Sequence, residues 1–161
     1  MTQLLIVYHS RTGGSRQMAE AAADAARGEA DTVLKPADQA GPEDLLAADG
    51  YIFCAPENLA AISGVMKDFF DRSYYPVLGQ IEGRPYAQMV CAGSDGENAA
   101  RQTARIATGW RLKEVQPPLI ICTHAQSPEA ILAQKTIPQD QLNKCREIGA
   151  ALAAGLSLGV F

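Results

Sequence analysis

A short run of hydroxyl and glycine residues, Ser10-Arg11-Thr12-Gly13-Gly14-Ser15, is the part of this sequence best suited to binding an anion. It follows the continuously apolar run Leu4–Tyr8, which predicts a strand buried on both faces. Apolar residues between Met18 and Ala26 then recur at helical spacing, so Ser15 is expected to be the helix N-cap. A strand that turns directly into a helix presents unpaired N–H groups and a positive dipole end, which favour phosphate. The alternative is a plain turn, capped by Ser15, that binds no ligand.

Loops rich in small and polar residues follow three further apolar runs: APENLAAISG from Ala55, AGSDGENAA from Ala92, and THAQSPE from Thr123. In an open parallel sheet the ligand crevice lies outside the carboxyl ends of the strands. We therefore expect these loops and the first one to line a single crevice. Walls of backbone and small polar groups suit a flat, multiply hydrogen-bonding ligand with a phosphate tail.

Strand and helix patterns alternate along the chain without internal repeats. The sequence predicts five strands, at 4–8, 31–34, 51–55, 86–92 and 119–122, and helices from Ser15 onward and at 42–46, 63–72, 97–108 and 139–156. This alternation predicts an α/β fold with a parallel sheet covered by helices on both sides. We expect residues 1–161 to form one domain.

Composition narrows the functional classes. The chain has 161 residues, a formal net charge of −4 and 47% hydrophobic residues, and it contains no basic run typical of a nucleic-acid surface. No apolar stretch approaches the roughly 20 residues of a membrane span, and the N-terminus lacks the basic region of a signal peptide. The four scattered cysteines show no CxxC pair, which favours a reducing cytoplasm.

Several catalytic motifs do not fit. The first loop lacks the Gly-Lys-Ser/Thr of a P-loop and the Gly-x-Gly-x-x-Gly of a dinucleotide fold. Cys91 lacks the downstream arginine of a phosphatase loop, and no His, Asp or Glu cluster has metal-ligand spacing. Cys122 and His124 could pair as a thiol and its base, but a structural cysteine is the favoured interpretation. We assign no catalytic residue and no metal.

Three segments together resemble the flavodoxin-like NAD(P)H-dependent FMN reductases and quinone oxidoreductases. Residues 10–15 are similar to the flavodoxin-type phosphate loop Ser/Thr-x-Thr-Gly-x-Ser/Thr. The segment APENLAAISGVMKDFFDR resembles a ring-contacting loop and its helix, with Pro56, Ser63-Gly64 and Lys67 to Arg72 at the matching positions. The segment CAGSDGENAARQTARIATGWRL resembles the glycine-rich loop and helix at the other ring edge. The resemblance covers nearly the whole chain.

This resemblance implies a flavodoxin-like three-layer sandwich whose five-stranded parallel sheet has the order 2-1-3-4-5. It also implies bound FMN, NADPH or NADH as reductant, a quinone or other small electron acceptor, and a homodimer or homotetramer. The flavin phosphate would lie at the first loop and the ring between the other two, which gives the expected cofactor-binding residues Ser10, Arg11, Thr12, Gly13, Gly14, Ser15, Pro56, Glu57, Asn58, Leu59, Ala60, Ala92, Gly93, Ser94, Asp95 and Gly96.

The chain departs from this family where Glu57-Asn58-Leu59-Ala60 replaces the Tyr or Phe that often follows the proline. Stacking of an aromatic side chain on the flavin is therefore not expected, and Trp110 is expected to pack in the core. Glu57 either faces the ring, where its charge would lower the reduction potential, or points to solvent. Tyr74-Tyr75 should follow the third helix beside the flavin edge and form part of a subunit interface, unless they pack on their own monomer.

Two other functions stay open. One is a flavodoxin-type electron carrier, although such carriers are usually more acidic than a net charge of −4. The other is a non-enzymatic module that uses the same fold for regulation or partner binding and carries no flavin.

Overall fold

The computed structural model describes residues 2–161, in which a parallel sheet lies between two layers of helices. The strands are β1 (Gln3–Tyr8), β2 (Asp31–Pro36), β3 (Gly50–Asn58), β4 (Ala61–Ile62), β5 (Pro85–Ala92), β6 (Lys113–Glu114) and β7 (Leu119–Cys122). The helices are α1 (Gly14–Ala26), α2 (Pro42–Ala47), α3 (Gly64–Val77), α4 (Glu97–Gly109), α5 (Pro128–Leu132) and α6 (Gln139–Leu158). The predicted parallel α/β architecture is confirmed.

The predicted five-stranded sheet is wrong in its strand count, because residues 2–161 contribute seven strands to the sheet. Its main path is β2-β1-β3-β5-β6, while β7 also pairs with β5 and the short β4 pairs antiparallel with β3. The edge beyond β5 is divided, since β6 pairs at Pro85–Tyr86 and β7 at Met89–Ala92. Pro117-Pro118 lie between β6 and β7 and have no N–H group to donate, so they interrupt the edge strand.

The strands contribute alternate side chains to two hydrophobic cores. In β1, Leu5 and Val7 face the core under α2, α3 and α4, whereas Leu4 and Ile6 face the core under α1 and α6. All four side chains are almost completely buried. Burial on both faces explains why this strand is continuously apolar.

Helix α3 is longer than predicted and includes the two tyrosines that were expected to follow it. It begins beside the β3–β4 hairpin and runs back toward the start of β5, so the expectation that Tyr74-Tyr75 directly follow this helix, beside the flavin edge, is wrong as to their place in the chain's elements. Tyr74 stacks on Trp110 with ring centroids 5.5 Å apart, and the indole N–H of Trp110 donates to the Tyr74 carbonyl at 2.9 Å. Trp110 is fully buried, which confirms its packing role. Tyr75 is largely exposed.

The four cysteines are all free thiols. A search of residues 2–161 finds no helix with the length and apolar character that crossing a membrane requires.

The contact between α1 and α6 generates a stability prediction. A Cβ at Gly149 of α6 would clash with the backbone carbonyl of Ala22 in α1, so the two helices touch through their backbones. We expect Gly149→Ala to lower the free energy of unfolding by about 1–3 kcal/mol, as overpacking does. Urea denaturation measures this change.

Gly64→Ala is the matched control, because Gly64 also lies in a helix but no atom lies within 4 Å of its added Cβ. This variant should be neutral or slightly stabilised. If Gly149→Ala and Gly64→Ala unfolded at the same urea concentration, the close packing of α1 on α6 would be refuted.

Candidate functional site

The loop between β1 and α1 brings the start of α1 into the middle of the sheet. Gly13 adopts φ +95° and is the N-cap of α1, so the expected role of Ser15 as N-cap is wrong. The Ser10 hydroxyl accepts a hydrogen bond from the Gly13 N–H at 3.0 Å. At Gly14 an added Cβ would lie 2.6 Å from the Cys91 thiol sulfur. Only glycine allows the first turn of α1 to approach β5 this closely.

Ser15 lies in that first turn, with its hydroxyl buried and without a partner. The residue is 1% exposed, and its Oγ atom makes no hydrogen bond to any of residues 2–161. A buried hydroxyl without a partner costs free energy and requires an explanation. The first N–H groups of α1 lie beside it and have no acceptor within the helix. Together they form a donor set suited to a phosphate.

A cavity of about 70 Å³ adjoins this donor set, which is several times the space that one water molecule needs. Seven of the predicted site residues line it: Ser10, Arg11, Thr12, Gly14, Ser15, Pro56 and Asn58. Cys91, Ile131 and Leu132 complete the wall. The structure therefore brings the first loop and the end of β3 together, as the sequence predicts.

The remaining residues predicted after β3 form a tight hairpin. Glu57 and Asn58 pair with Ile62 and Ala61, so this segment extends β3 where a loop was predicted. Leu59 and Ala60 form the turn with φ values of 52° and 62°, a left-handed conformation that is uncommon for residues other than glycine. The Leu59 side chain is fully exposed. Such strain persists only where the surrounding contacts hold the backbone in place.

Helix α4 supplies those contacts to the hairpin. The Asn98 side-chain amide donates to the Ala60 carbonyl at 2.6 Å, and the Gln102 side-chain oxygen accepts from the Ile62 N–H at 2.9 Å. Neither residue is among the expected cofactor-binding residues, although Asn98 lies in the AGSDGENAA segment that was expected to line the crevice. Their spacing of four residues places both on one face of the helix, which is the only sequence signal for them.

The Glu57 side chain does not simply point to solvent, and an orientation toward the ring stays a prediction. Its carboxylate accepts a hydrogen bond from the Gly96 N–H at 2.8 Å, at the N-terminus of α4. A carboxylate at this helix end is stabilised by the helix dipole and by a charge-assisted hydrogen bond. The hairpin and the loop that follows β5 are therefore joined directly, and the Gly96 amide already has an acceptor.

The loop 92–96 pairs with the segment that follows β7. The Ala92 and Gly93 carbonyls accept from the Thr123 and His124 N–H groups, both at 2.8 Å. His124 has a φ of 61° and lies beyond the strand, so it does not share a strand face with Cys122. The Cys122 thiol instead donates to the Asp95 carbonyl at 3.8 Å, and no hydrogen bond within residues 2–161 joins it to His124. The favoured structural role of Cys122 agrees with this arrangement.

Residues 125–137 form a cover over the first loop; sequence analysis expected the THAQSPE loop at the crevice but missed the helix α5 and the residues that follow it. Ile131 and Leu132 of α5 line the cavity, and the Lys135 N–H donates to the Thr12 carbonyl at 2.8 Å. Ser127-Pro128-Glu129 is a helix-start signal, and the Ser127 hydroxyl does accept from the Ala130 N–H at 3.2 Å. That signal predicts a helix but not the loop on which it packs.

His9 lies at the edge of the same crevice. Its Nδ1 atom and the Ser63 hydroxyl are 2.8 Å apart, with the donor set by the tautomer. Burial lowers the pKa of His9, although the nearby Asp38 carboxylate acts in the opposite direction. Burial therefore favours the neutral form of the imidazole. It orients Ser63, which precedes α3.

The motif residues at the start of α3 have structural roles. Lys67 and Asp71 form an exposed ion pair at 2.6 Å. Arg72 donates to the carbonyls of Ala37 and Ala40, at 2.8 and 3.0 Å, and thereby ties α3 to the loop after β2. These contacts shape the fold rather than the cavity.

Comparison with known proteins identifies the family to which this chain belongs. The family described as NADPH-dependent FMN reductase matches residues 35–126, more than half of the chain. The chain belongs to this family. The matched region contains the β3–β4 hairpin, α3 and the loop after β5, and the loop at residues 10–15 lies outside it.

Two curated relatives share part of this family member's sequence. A flavodoxin of Aquifex aeolicus (strain VF5) is 40% identical over 96 residues, which cover 58% of the chain and 50% of that protein. An NAD(P)H dehydrogenase (quinone) of Acidithiobacillus ferrooxidans is 33% identical over an alignment of 95 residues. The match covers 45% of the chain and 48% of that protein. The chain thus spans about half the length of the curated relatives it matches.

Solved structures establish the flavodoxin-like fold of this family member. Flavodoxin 1 from Bacillus cereus superposes with a TM-score of 0.79 at 18% identity, covering 97% of the chain and all of that structure. A flavodoxin, WrbA-like protein from Agrobacterium tumefaciens gives a TM-score of 0.70 at 24% identity, with 95% and 96% covered. At these identities the likeness establishes the fold alone.

The different burial of the four cysteines predicts which thiol reacts first. Burial raises the pKa of Cys91 to about 11 and of Cys145 to about 12, and it raises the pKa of Cys54 as well. With a pKa of about 11, only about one Cys91 in a thousand is a thiolate at pH 8. We expect the native protein to react with a thiol reagent at Cys122 first, since this thiol is only half-buried.

Mass spectrometry after brief labelling at pH 8 identifies the modified cysteine. Cys122→Ser should remove the fast phase, and denatured protein should label at all four positions. Cys91 labelling as fast as Cys122 in the native protein would contradict the burial of the cavity wall.

Proposed function

We propose that this chain is an FMN-dependent oxidoreductase that passes hydride from NADPH or NADH, through bound FMN, to a quinone-like or other small acceptor. The observation that carries the proposal is the buried, unpartnered Ser15 hydroxyl at the N-terminus of α1, beside a cavity. It is a donor without an acceptor at the position where the family's cofactor has its phosphate. Membership in the NADPH-dependent FMN reductase family supports the choice of FMN.

The first loop would hold the phosphate through neutral donors. Thr12 and Ser15 supply hydroxyl groups, and the first turn of α1 supplies N–H groups and the positive end of its dipole. The Ser10 hydroxyl accepts from Gly13 and can donate its own proton toward the cavity. Gly14 keeps side-chain atoms out of the space between this turn and Cys91.

The ring would lie between the β3–β4 hairpin and the loop 92–96. FMN supplies the chemistry when bound, because its ring accepts hydride from a nicotinamide and returns electrons to an acceptor. The chain holds the two walls at a set separation through the Glu57–Gly96 hydrogen bond and the contacts of Asn98 and Gln102 with the hairpin. Pro56 and Asn58 reach the cavity from the hairpin side. No side chain is required as a catalytic acid or base.

A flavodoxin-type electron carrier is the second candidate. The 40% identity with the Aquifex flavodoxin favours it, since that protein is named for such a role. The third candidate, a regulatory or partner-binding module without flavin, requires that the chain bind no FMN.

Three further expectations remain predictions for this chain. They are that residues 1–161 form one FMN-binding domain, that the protein is cytoplasmic, and that it is a homodimer or homotetramer. Tyr74 packs on Trp110 of its own chain, whereas Tyr75 is largely exposed, so Tyr75 is the member of this pair better placed for a subunit interface.

The first experiment separates the enzyme from the electron carrier. Under anaerobic conditions we expect NADPH or NADH to bleach the visible absorbance of the bound flavin within seconds, and an added quinone to restore it. A carrier would be reduced by dithionite but not by either nicotinamide. A colourless protein that cannot be reconstituted with FMN would favour the third candidate.

The second experiment tests the phosphate site with two serines. Ser15→Ala removes a buried, unpartnered hydroxyl, so the ligand-free protein should unfold at a slightly higher urea concentration. The same variant should bind FMN roughly tenfold or more weakly, because a charge-assisted hydrogen bond is lost, while riboflavin affinity should change little. Fluorescence titration measures both affinities.

Ser73→Ala is the matched control, because the Ser73 hydroxyl is also buried and without a partner within residues 2–161 but lies in α3. It should show a similar gain in stability and unchanged FMN affinity. Equal FMN affinity in the two variants would show that the phosphate binds elsewhere.

A further inference from the structure

Lys135 lies against the first loop although 120 residues separate it from Ser15 along the chain. Its backbone N–H donates to the Thr12 carbonyl at 2.8 Å, and its carbonyl accepts from the Gln17 side chain at 2.7 Å. The other end of the Gln17 amide accepts from the Ile137 N–H at 2.9 Å, and Ile137 is buried. The backbone of residues 135–137 is therefore attached to the loop and to the first turns of α1.

The Lys135 ammonium group is directed into this junction. It donates to the carbonyls of Ala130, Ile131 and Ala133 at 2.6–2.8 Å, and it lies 3.5 Å from the Thr12 hydroxyl. These acceptors are neutral, and none of the ion pairs among residues 2–161 involves Lys135. The ammonium therefore lies near the cavity without a carboxylate partner among these residues.

The charge of Lys135 acts on the cavity wall. Burial raises the pKa of the Cys91 thiol to about 11, and the Lys135 ammonium opposes this rise. Cys91 and Thr12 both line the cavity. Lys135 does not itself line the cavity, and its ammonium lies behind Thr12, at the end of α5.

The two other cations near the loop are held less firmly. Arg16 is exposed and forms an ion pair with Glu20 at 2.8 Å, which compensates its charge. Arg11 borders the cavity but is exposed, and no hydrogen bond within residues 2–161 orders its side chain. An exposed arginine contributes little because water and salt screen its charge.

We infer that Lys135 is the residue that makes this site select a phosphorylated flavin over its unphosphorylated form. The inference rests on the proposed function, since it assigns a role within that same site. A phosphomonoester carries about 1.5 to 2 negative charges at pH 7, whereas riboflavin carries none in its tail. Neutral donors bind the phosphate, and the half-buried ammonium compensates its charge. The cover formed by residues 125–137 holds that ammonium in place.

The experiment compares FMN and riboflavin affinities, by flavin fluorescence titration, in the wild type, K135Q, K135R and K144Q. Lys144 lies exposed on α6, so K144Q removes the same charge away from the site. We expect K135Q to weaken FMN roughly tenfold or more, as the loss of one charged partner does, and to leave riboflavin within about twofold. K135R should retain most of the FMN affinity, and K144Q should bind both flavins as the wild type does.

Salt dependence provides an independent readout. FMN affinity of the wild type should fall more steeply with added NaCl than that of K135Q, while riboflavin affinity should be insensitive in both. Circular dichroism establishes whether each variant is folded. If K135Q does not fold, K135M, which keeps the apolar part of the side chain over Gly14, takes its place.

The inference is overturned if K135Q and K144Q bind FMN equally well, or if K135Q loses riboflavin and FMN affinity alike. Equal loss of both flavins would show that Lys135 only positions the cover. A wild type that binds neither flavin would refute the proposed function and this inference together, whereas wild-type binding of both with equal affinity would refute this inference alone.

Discussion

The close approach of the first turn of α1 to β5 is the constraint on which the rest of this site depends. Gly14 has no side chain at the point where the Cys91 sulfur lies, so the start of α1 enters the layer next to the sheet. This contact buries Ser15 and directs the free N–H groups of α1 toward the carboxyl ends of the strands. A helix that began one turn further out would leave these groups in water, where they would compete poorly for a phosphate.

Side-chain to backbone hydrogen bonds, rather than the sheet itself, hold the other walls of the crevice. Asn98 and Gln102 attach the β3–β4 hairpin to α4, and Glu57 attaches the same hairpin to the start of that helix. The strained turn at Leu59 and Ala60 is therefore held from several directions. These contacts hold the exposed tip of the hairpin in a fixed position relative to α4.

The region matched by the family and the region that would bind phosphate are different parts of the chain. The match covers residues 35–126, whereas residues 10–15 and Lys135 lie on either side of it. Within the match, the conspicuous charged residues of α3 form surface ion pairs or tie α3 to the loop after β2. Similarity in this region therefore reports on the fold and on the crevice walls formed by the β3–β4 hairpin and the loop after β5. The proposal for the phosphate side depends on the geometry of this chain.

The sequence by itself determined the elements whose signals are local. Continuous apolar runs predict strands buried on both faces, and Leu4 to Val7 do divide their side chains between two cores. The hydroxyl and glycine residues at 10–15 predict a strand-to-helix anion loop, because turn chemistry and helix starts depend on neighbouring residues. The sheet's divided edge is also local in origin, since Pro117-Pro118 cannot donate hydrogen bonds, although the prediction overlooked it.

Only the tertiary structure decided which distant groups meet. Glu57 and Gly96 are 39 residues apart, and Lys135 and Thr12 are 123 residues apart, so neither contact leaves a periodic pattern in the sequence. Serine is a residue type favoured at helix N-caps, but α1 packs so closely against β5 that Gly13 is the N-cap instead of Ser15. Tyrosine is a residue type enriched at interfaces, but in this structure the Tyr74 ring stacks on Trp110 of its own chain. Local propensity determines where helices and strands form. Long-range contacts compete for the same side chains, and their outcome determines which residues meet at the site.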